Sequence, residues 1–168
     1  FIEALKCENV KNSYRLILYG NTISNEKWNQ LGLSEIAEYR GWLDYSKDVS
    51  TLKDIDVFLQ LLDDNNVSKA GWPNKLGDYL AFGKPVILSP YGDIIDFVKN
   101  EKGFFIVEYN KYSILKILQE IKDIPYSDLK TMGYANRQLA EKISWKNRAK
   151  NIEYICNKIR FNNETVKN

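Results

Sequence analysis

The sequence predicts an α/β domain built on a doubly wound, mostly parallel sheet. Short apolar runs end in glycine or polar loops, and stretches with helical periodicity separate them. The runs are apolar almost throughout, which is typical of strands that helices cover on both faces. With 168 residues, of which 44% are hydrophobic, the chain is long enough to bury the core of one such domain.

Five strands and six helices are predicted from these patterns. The strands are Tyr14–Gly20, Glu35–Gly41, Ile55–Leu62, Lys84–Ser89 and Gly103–Val107. The helices are Asn25–Leu31, Tyr45–Lys53, Asn74–Phe82, Asp93–Lys99, Asn110–Lys122 and Ser127 to about Phe161. Phe1–Leu5 has the pattern of the end of an amphipathic helix, so we expect a fragment of a longer protein. One domain is expected over 1–160, followed by a polar tail, 161–168.

Composition excludes several classes of function. The net charge is +2, from 24 basic and 22 acidic residues, which gives no overall attraction for nucleic acid or anionic membranes. Because no apolar run approaches the length of a membrane span, we expect a cytoplasmic domain. The chain has no histidine, so it cannot form a Ser-His-Asp triad or a histidine-rich metal site. Cys7 and Cys156 lack metal-ligand spacing and are expected to be free thiols.

The helix that begins near Pro73 is a candidate anion site. Ligands of doubly wound sheets bind beyond the carboxyl ends of the strands, where the loop after Leu62 leads into this helix. Its first amides lack intrahelical partners and its dipole attracts a phosphate. Lys75 and Asp78, at i and i+3, could hold a phosphate and ribose hydroxyls respectively. Spacing alone favours a plainer interpretation, in which they form an exposed ion pair and Trp72 packs the turn.

The segment Trp72–Val86, WPNKLGDYLAFGKPV, resembles the donor-site signature of retaining GT-B glycosyltransferases of the group 1, family 4-like type. The similarity extends over nearly the whole chain, in the segments Leu16–Gly20, Arg40–Leu43, Gly92-Asp93, Gly103–Val107 and Ile143-Ser144-Trp145. The resemblance implies the Rossmann-like, nucleotide-sugar-binding C-terminal half of a GT-B fold, without its first strand. It also implies that Trp145 packs at the junction before the last helix.

The resemblance assigns roles to residues around the helix start. Lys75 would contact the donor diphosphate and is the catalytic candidate, whereas Asp78 would hold the ribose. Asn74 would cap the helix or touch phosphate. Gly71, Trp72 and Leu76 complete this donor-binding segment. Many relatives carry two glutamates here, and this chain has Ala70 at the first position and the shorter Asp78 at the second, which leaves open how the donor sugar is held.

Three further loops carry donor-binding candidates. Gly41 and Trp42 follow a strand where the family places nucleobase contacts, and an ordinary strand-end turn is an equal alternative. Gly20 ends the first strand beside them. Tyr91 and Gly92 could close over the donor, although a plain turn with an N-cap is the commoner role of such a segment.

The resemblance implies transfer of a sugar from a nucleotide-sugar to an acceptor with retention, in surface polysaccharide or glycoconjugate synthesis. No cofactor or metal is expected beyond the nucleotide-sugar, and no nucleic acid is expected to bind. The acceptor, a glycan or lipid-linked sugar, would contact a separate N-terminal domain of an enzyme peripheral to the membrane, so this chain alone is expected to be inactive. Two alternatives are a sugar-nucleotide epimerase half and a non-enzymatic, flavodoxin-like interaction domain.

Overall fold

A computed structural model describes residues 1–21 and 23–165, with side chains as far as residue 160. Its strands are β1 Leu16–Leu18, β2 Ala37–Tyr39, β3 Phe58–Gln60, β4 Val86–Leu88 and β5 Phe104–Ile106. β1 pairs with β2, and β3, β4 and β5 form a second sheet in that order. Every pair is parallel, with Leu16 opposite Ala37 and Phe58 opposite Val86. The predicted α/β class with parallel strands is confirmed, although the five strands form two hydrogen-bonded sheets instead of one.

Eight α-helices and one 3-10 helix connect the strands within the described residues. They are α1 Ile2–Leu5, α2 Asn25–Gln30, the 3-10 helix Val49–Asp54, α3 Asn66–Ala70, α4 Asn74–Ala81, α5 Ile94–Val98, α6 Lys111–Lys122, α7 Tyr126–Lys142 and α8 Trp145–Thr165. The sequence did not predict α3, because its side chains are largely exposed and show no apolar period. Asn65 caps this helix by accepting a hydrogen bond from the Ser68 amide, 2.8 Å away.

The predicted long C-terminal helix is two helices, α7 and α8. The break is stabilised by Asn147, whose Nδ2 donates to the Glu141 carbonyl at 2.7 Å. Trp145 at the start of α8 is 85% exposed, so the prediction that it packs is wrong. α8 continues to Thr165, into the segment predicted as a tail, and 166–168 lie outside the described residues. In the described part of the chain, no helix combines the length and apolar character needed to cross a bilayer.

Helices cover both faces of the strand layer. One face packs on α1 and α6, and its strand residues include Leu16, Leu18, Leu59, Ile87 and Phe105. The other face packs on α4, α5 and α7, through strand residues that include Phe58, Val86, Leu88 and Phe104. Because consecutive strand residues point to opposite faces, this alternation shows that both sheets belong to one layer.

The close approach of α7 to the turn before β4 depends on two small or polar residues. Asn136 is fully buried, and its Nδ2 donates to the carbonyls of Lys84, at 2.9 Å, and Gly103, at 2.8 Å. At Gly133 a Cβ atom would lie 2.1 Å from the Gly83 carbonyl oxygen. Gly83 has a φ of 66° and ends α4, as predicted. Backbone therefore meets backbone here, with no room for a side chain.

Two glycine-to-alanine substitutions should change stability in opposite directions. Gly133→Ala places its methyl group against backbone that cannot move cheaply, so we expect a loss of about 3 kcal/mol of unfolding free energy. Gly77→Ala, within α4, meets nothing within 4 Å and should add up to about 1 kcal/mol through helix propensity. The midpoints of urea unfolding measure both changes, provided that the m-value stays the same. Midpoints that shift in the same direction would contradict the packing described for α7.

Candidate functional site

A cavity of about 610 Å³ opens where loops leave the carboxyl ends of β1 and β2. Gly20 follows β1 and Trp42 follows β2, and both line this cavity. Lys75 and Asp78, from the first turns of α4, line it too. Four of the predicted site residues, separated by up to 58 positions in sequence, are thus brought to one opening.

The buried face of α4 determines which of its side chains reach the cavity. Leu76 and Leu80 are fully buried in the core. Tyr79 stacks on Phe58 with ring centroids 4.3 Å apart and planes 4° apart. The side chain of Leu76, predicted in the donor-binding segment, therefore packs the helix rather than lining the cavity. The exposed face of α4 presents Lys75 and Asp78.

The N-terminus of α4 adds partial positive charge beside Lys75. Pro73 is the N-cap, and its carbonyl accepts a hydrogen bond from the Leu76 amide at 2.9 Å. The amides of Asn74 and Lys75 have no acceptor inside the helix. Asn74 is the first helical residue and makes no side-chain cap bond, so of the two roles expected for it capping is wrong and the phosphate contact stays a prediction. An anion at this end would meet two amides, the helix dipole and an ammonium group.

The sequence did not identify Tyr45, which contacts the Asp78 side chain. The Tyr45 hydroxyl donates to Asp78 Oδ2 at 3.1 Å and lines the same cavity. Partial burial, and then the hydrogen bond to the Asp78 carboxylate, raise the pKa of Tyr45 to about 12. The hydroxyl is therefore protonated at neutral pH and occupies one oxygen of Asp78. A tyrosine three residues after Trp42, in the same loop, is the sequence signal that could have indicated it.

A hydrogen-bond network fixes the ends of β1 and β2 beside the cavity. Arg40 Nη1 donates to the Tyr19 hydroxyl at 3.3 Å, and that hydroxyl donates to Thr51 Oγ1 at 2.9 Å. Arg40 Nε also contacts Glu38 at 2.7 Å, and this hydrogen bond lowers the pKa of the Glu38 carboxyl. Tyr19 lines the cavity. The network joins three elements that sequence patterns do not connect.

Gly41 supports this opening through its backbone. Its φ is 74°, a left-handed conformation that favours glycine, and its carbonyl accepts from the Gly20 amide at 2.9 Å. The following residue, Trp42, is 72% exposed and offers a broad aromatic surface. A planar ring bound at the opening could stack on that surface.

The remaining predicted residues do not line this cavity. Gly71 ends α3, and Trp72 packs edge-to-face on Phe97, with centroids 5.3 Å apart. The Tyr91 hydroxyl donates to Glu108 Oε2 at 3.0 Å. A Cβ on Gly92 would lie 3.0 Å from the Lys69 carbonyl oxygen. Trp72 thus contacts α5, and Tyr91 contacts the loop after β5. Across residues 1–21 and 23–165, no three His, Cys, Asp or Glu side chains are grouped to hold a metal ion.

Removing the Asp78 carboxylate should lower the pKa of Tyr45. In Asp78→Ala the hydrogen bond and the negative charge disappear, but burial remains, so we expect a partial return from about 12 towards 10.0. Because the chain has 11 tyrosines, the measurement is a difference absorbance titration at alkaline pH against Tyr45→Phe. Asp96→Ala, which removes a carboxylate paired with Lys99, is the control. An unchanged titration in Asp78→Ala would contradict the contact.

Several solved structures resemble the fold. The sucrose-phosphate synthase (tll1590) from Thermosynechococcus elongatus is 16% identical, with a TM-score of 0.68 over 94% of this chain and 42% of that one. Anabaena Alr3699/HepE in complex with UDP is 16% identical, with a TM-score of 0.62 over 84% of this chain and 39% of that one. Its complex with UDP-glucose is 14% identical, with a TM-score of 0.63 and the same coverage. This chain thus spans about two fifths of their length.

No curated protein sequence matches the chain significantly. The family described as glycosyl transferases group 1, in contrast, matches residues 1–139, which include every strand and the whole lining of the cavity opening. The structural neighbours share the arrangement of parallel strands and covering helices. The chain therefore belongs to the family of glycosyl transferases group 1.

Proposed function

We propose that this chain binds the nucleotide-sugar donor of a glycosyltransferase at the opening beside α4. The observation that carries the proposal is that Lys75 and Asp78, one helical turn apart, line one cavity together with Gly20 and Trp42. A nucleotide-sugar needs a cation for its diphosphate, an acceptor for its ribose hydroxyls and an apolar surface for its base. The opening supplies all three. The neighbours solved with UDP and UDP-glucose support a nucleotide-sugar as the ligand class.

We place the diphosphate at the N-terminus of α4. Its oxygens would accept from the amides of Asn74 and Lys75 and from the Lys75 ammonium group. When the sugar leaves, negative charge builds up on the diphosphate, and the same groups would stabilise it. Lys75 is the proposed catalytic residue for this reason. We propose that the arrangement works without a metal ion, because Lys75 and the helix dipole already provide positive charge there.

Asp78 is the proposed ribose contact, and Trp42 the proposed surface for the base. Oδ2 of Asp78 accepts from Tyr45, so a ribose hydroxyl either uses the second oxygen or displaces the tyrosine. Trp42 stands exposed at the same opening, on the loop that Gly41 shapes. Gly20 lets the backbone after β1 come close to the ligand, since it carries no side chain.

The proposed reaction moves the sugar to an acceptor with retention of configuration. The acceptor would be a glycan or a lipid-linked sugar, in the synthesis of surface polysaccharide or glycoconjugates in the cytoplasm, with the enzyme peripheral to the membrane. Its contacts would come from a separate domain that closes on the donor. The greater length of the structural neighbours supports a second domain, and family membership supports sugar transfer.

Lys75 and Asp78 should be distinguishable by comparing UDP with uridine. Lys75→Ala should weaken the binding of UDP about tenfold and leave the binding of uridine unchanged, because one charge-assisted contact to phosphate is lost. Asp78→Ala should weaken both ligands about tenfold, since both carry the ribose. Isothermal calorimetry measures the affinity of each variant for UDP and for uridine relative to the unmutated chain. The ionic strength is held fixed, because salt screens exposed charges.

Lys116→Ala is the matched control, since this exposed lysine on α6 pairs with Glu120 and does not line the cavity. It should alter neither affinity. Loss of uridine binding in Lys75→Ala equal to the loss of UDP binding would contradict the diphosphate assignment. Failure of the unmutated chain to bind UDP would contradict the donor site as a whole.

Tyr45→Phe should strengthen UDP binding by a small factor. The substitution keeps the ring and removes the hydroxyl that occupies Asp78 Oδ2, so ribose no longer competes with it. Tyr91→Phe is the control, because its hydroxyl contacts Glu108 away from the cavity. Calorimetry under the same conditions measures both variants. Weaker binding in Tyr45→Phe would show instead that the hydroxyl contacts the ligand.

A further inference from the structure

The loop after β2 is held at both ends by residues that follow β1. This β2 loop, residues 41–48, leads into the 3-10 helix. At its start, the Gly41 carbonyl accepts a hydrogen bond from the Gly20 amide at 2.9 Å. Beyond its end, Thr51 Oγ1 accepts from the Tyr19 hydroxyl at 2.9 Å. Because Tyr19 and Gly20 are adjacent in the chain, one short segment fixes both ends of the loop.

The hydroxyl of Tyr19 is the centre of this arrangement. It accepts a hydrogen bond from Arg40 Nη1 at 3.3 Å and donates to Thr51. The Arg40 side chain is oriented from its other side by Glu38, which accepts from Nε at 2.7 Å. Thr51 in turn donates to the Asp48 carbonyl at 2.6 Å. Loss of the Tyr19 hydroxyl oxygen would therefore disconnect the end of β2 and the 3-10 helix from Tyr19 together.

The β2 loop is also closed on itself between its ends. The Asp44 amide donates to Asp48 Oδ2 at 3.1 Å, and the Asp48 amide donates to the Asp44 carbonyl at 2.7 Å. These bonds make the loop a compact unit, so its position depends on the attachments at its ends. Trp42 and Tyr45, which belong to this unit, both line the cavity. The hydrogen bonds of Tyr19 thus determine where two cavity-lining aromatic rings lie.

We infer that Tyr19 is a positioning residue for the nucleotide, because its hydroxyl determines where the β2 loop presents Trp42 to the base. It acts through Arg40 and Thr51. The inference rests on the proposed function, since it concerns the surface offered to the base. The N-terminus of α4, proposed for the diphosphate, is placed independently by the buried face of that helix. The network therefore controls recognition of the nucleoside and leaves the diphosphate to α4.

Thr51 allows a test of the network without a change to any cavity-lining side chain, because Thr51 does not line the cavity. Thr51→Val keeps the shape of the side chain and removes its hydroxyl, whereas Thr51→Ser keeps the hydroxyl. In calorimetry, the binding of uridine should weaken about fivefold in Thr51→Val and be retained in Thr51→Ser. Inorganic pyrophosphate, which has no base, should bind both variants as it binds the unmutated chain.

Arg40→Lys separates positioning from charge. Lysine keeps the positive charge, but its one nitrogen cannot bridge Glu38 and the Tyr19 hydroxyl as the guanidinium group does. The binding of uridine should therefore weaken by a similar factor, and unchanged binding would contradict the bridge. Tyr14→Phe is the control, since this cavity-lining tyrosine donates to the Leu118 carbonyl of α6 instead. It should leave the binding of uridine unchanged.

Amide hydrogen exchange gives a readout that needs no ligand. The Gly20 amide donates to the Gly41 carbonyl, so its exchange rate reports whether the start of the β2 loop stays attached. Exchange at Gly20 should be about tenfold faster in Thr51→Val than in Thr51→Ser. Exchange at Val86, whose amide donates to the Gly103 carbonyl within the second sheet, should be equal in the two variants. Faster exchange at both amides would indicate general destabilisation and would overturn the inference.

Two further outcomes distinguish the inference from the proposed function. If the unmutated chain binds uridine, then equal uridine binding by the Val and Ser variants, or unchanged exchange at Gly20, would overturn the inference alone. Weaker binding of pyrophosphate in Thr51→Val, equal to the loss for uridine, would also overturn it, because the effect would not be confined to the nucleoside. Failure of the unmutated chain to bind uridine would overturn the proposed function, and this inference with it.

Discussion

The burial of α4 against the strand layer is the interaction on which the candidate site depends. Leu76 and Leu80 lie in the core, and the stack of Tyr79 on Phe58 sets the rotation of the helix about its axis. With that face buried, Lys75 and Asp78 lie on the exposed face of the helix and line the cavity. The same packing directs the N-terminus of α4, with its unpaired amides, towards any anion at the opening. Stability and the proposed ligand recognition thus depend on opposite faces of one eight-residue helix.

The cavity combines two environments with different chemistry. Its opening carries an ammonium group, a carboxylate and exposed aromatic rings, whereas apolar residues of β1 and β3 line its interior. The helices α1 and α6 pack on one face of the strand layer, and α4, α5 and α7 pack on the other.

Much of this fold is predictable from local patterns. The five strands follow from apolar runs bounded by glycine or polar residues, and α4 follows from Pro73 at its start and Gly83 at its end. Helix spacing places Lys75 and Asp78 on one side of α4, which fits either a ligand site or an exposed ion pair. Only the resemblance to the family favours the ligand site. The structure records no ion pair between them and directs Asp78 to Tyr45 instead.

The features that the sequence did not reveal depend on distant parts of the chain. Tyr45 and Asp78 are 33 positions apart, and the network from Arg40 through Tyr19 to Thr51 joins a strand end, a second strand end and a 3-10 helix. α3 has no buried side chain, so no hydrophobic period marks it. Trp145 was expected to pack because its segment resembles the family's junction before the last helix, yet α8 leaves it exposed within the described structure.

The central claim is that α4 presents a nucleotide-sugar site through its N-terminus and its exposed face. A crystal structure of the chain with UDP bound tests this claim most directly. The account predicts the diphosphate beside the amides of Asn74 and Lys75, the ribose on Asp78, and the base next to Trp42. Density for UDP at another surface, with the start of α4 facing solvent, would contradict it.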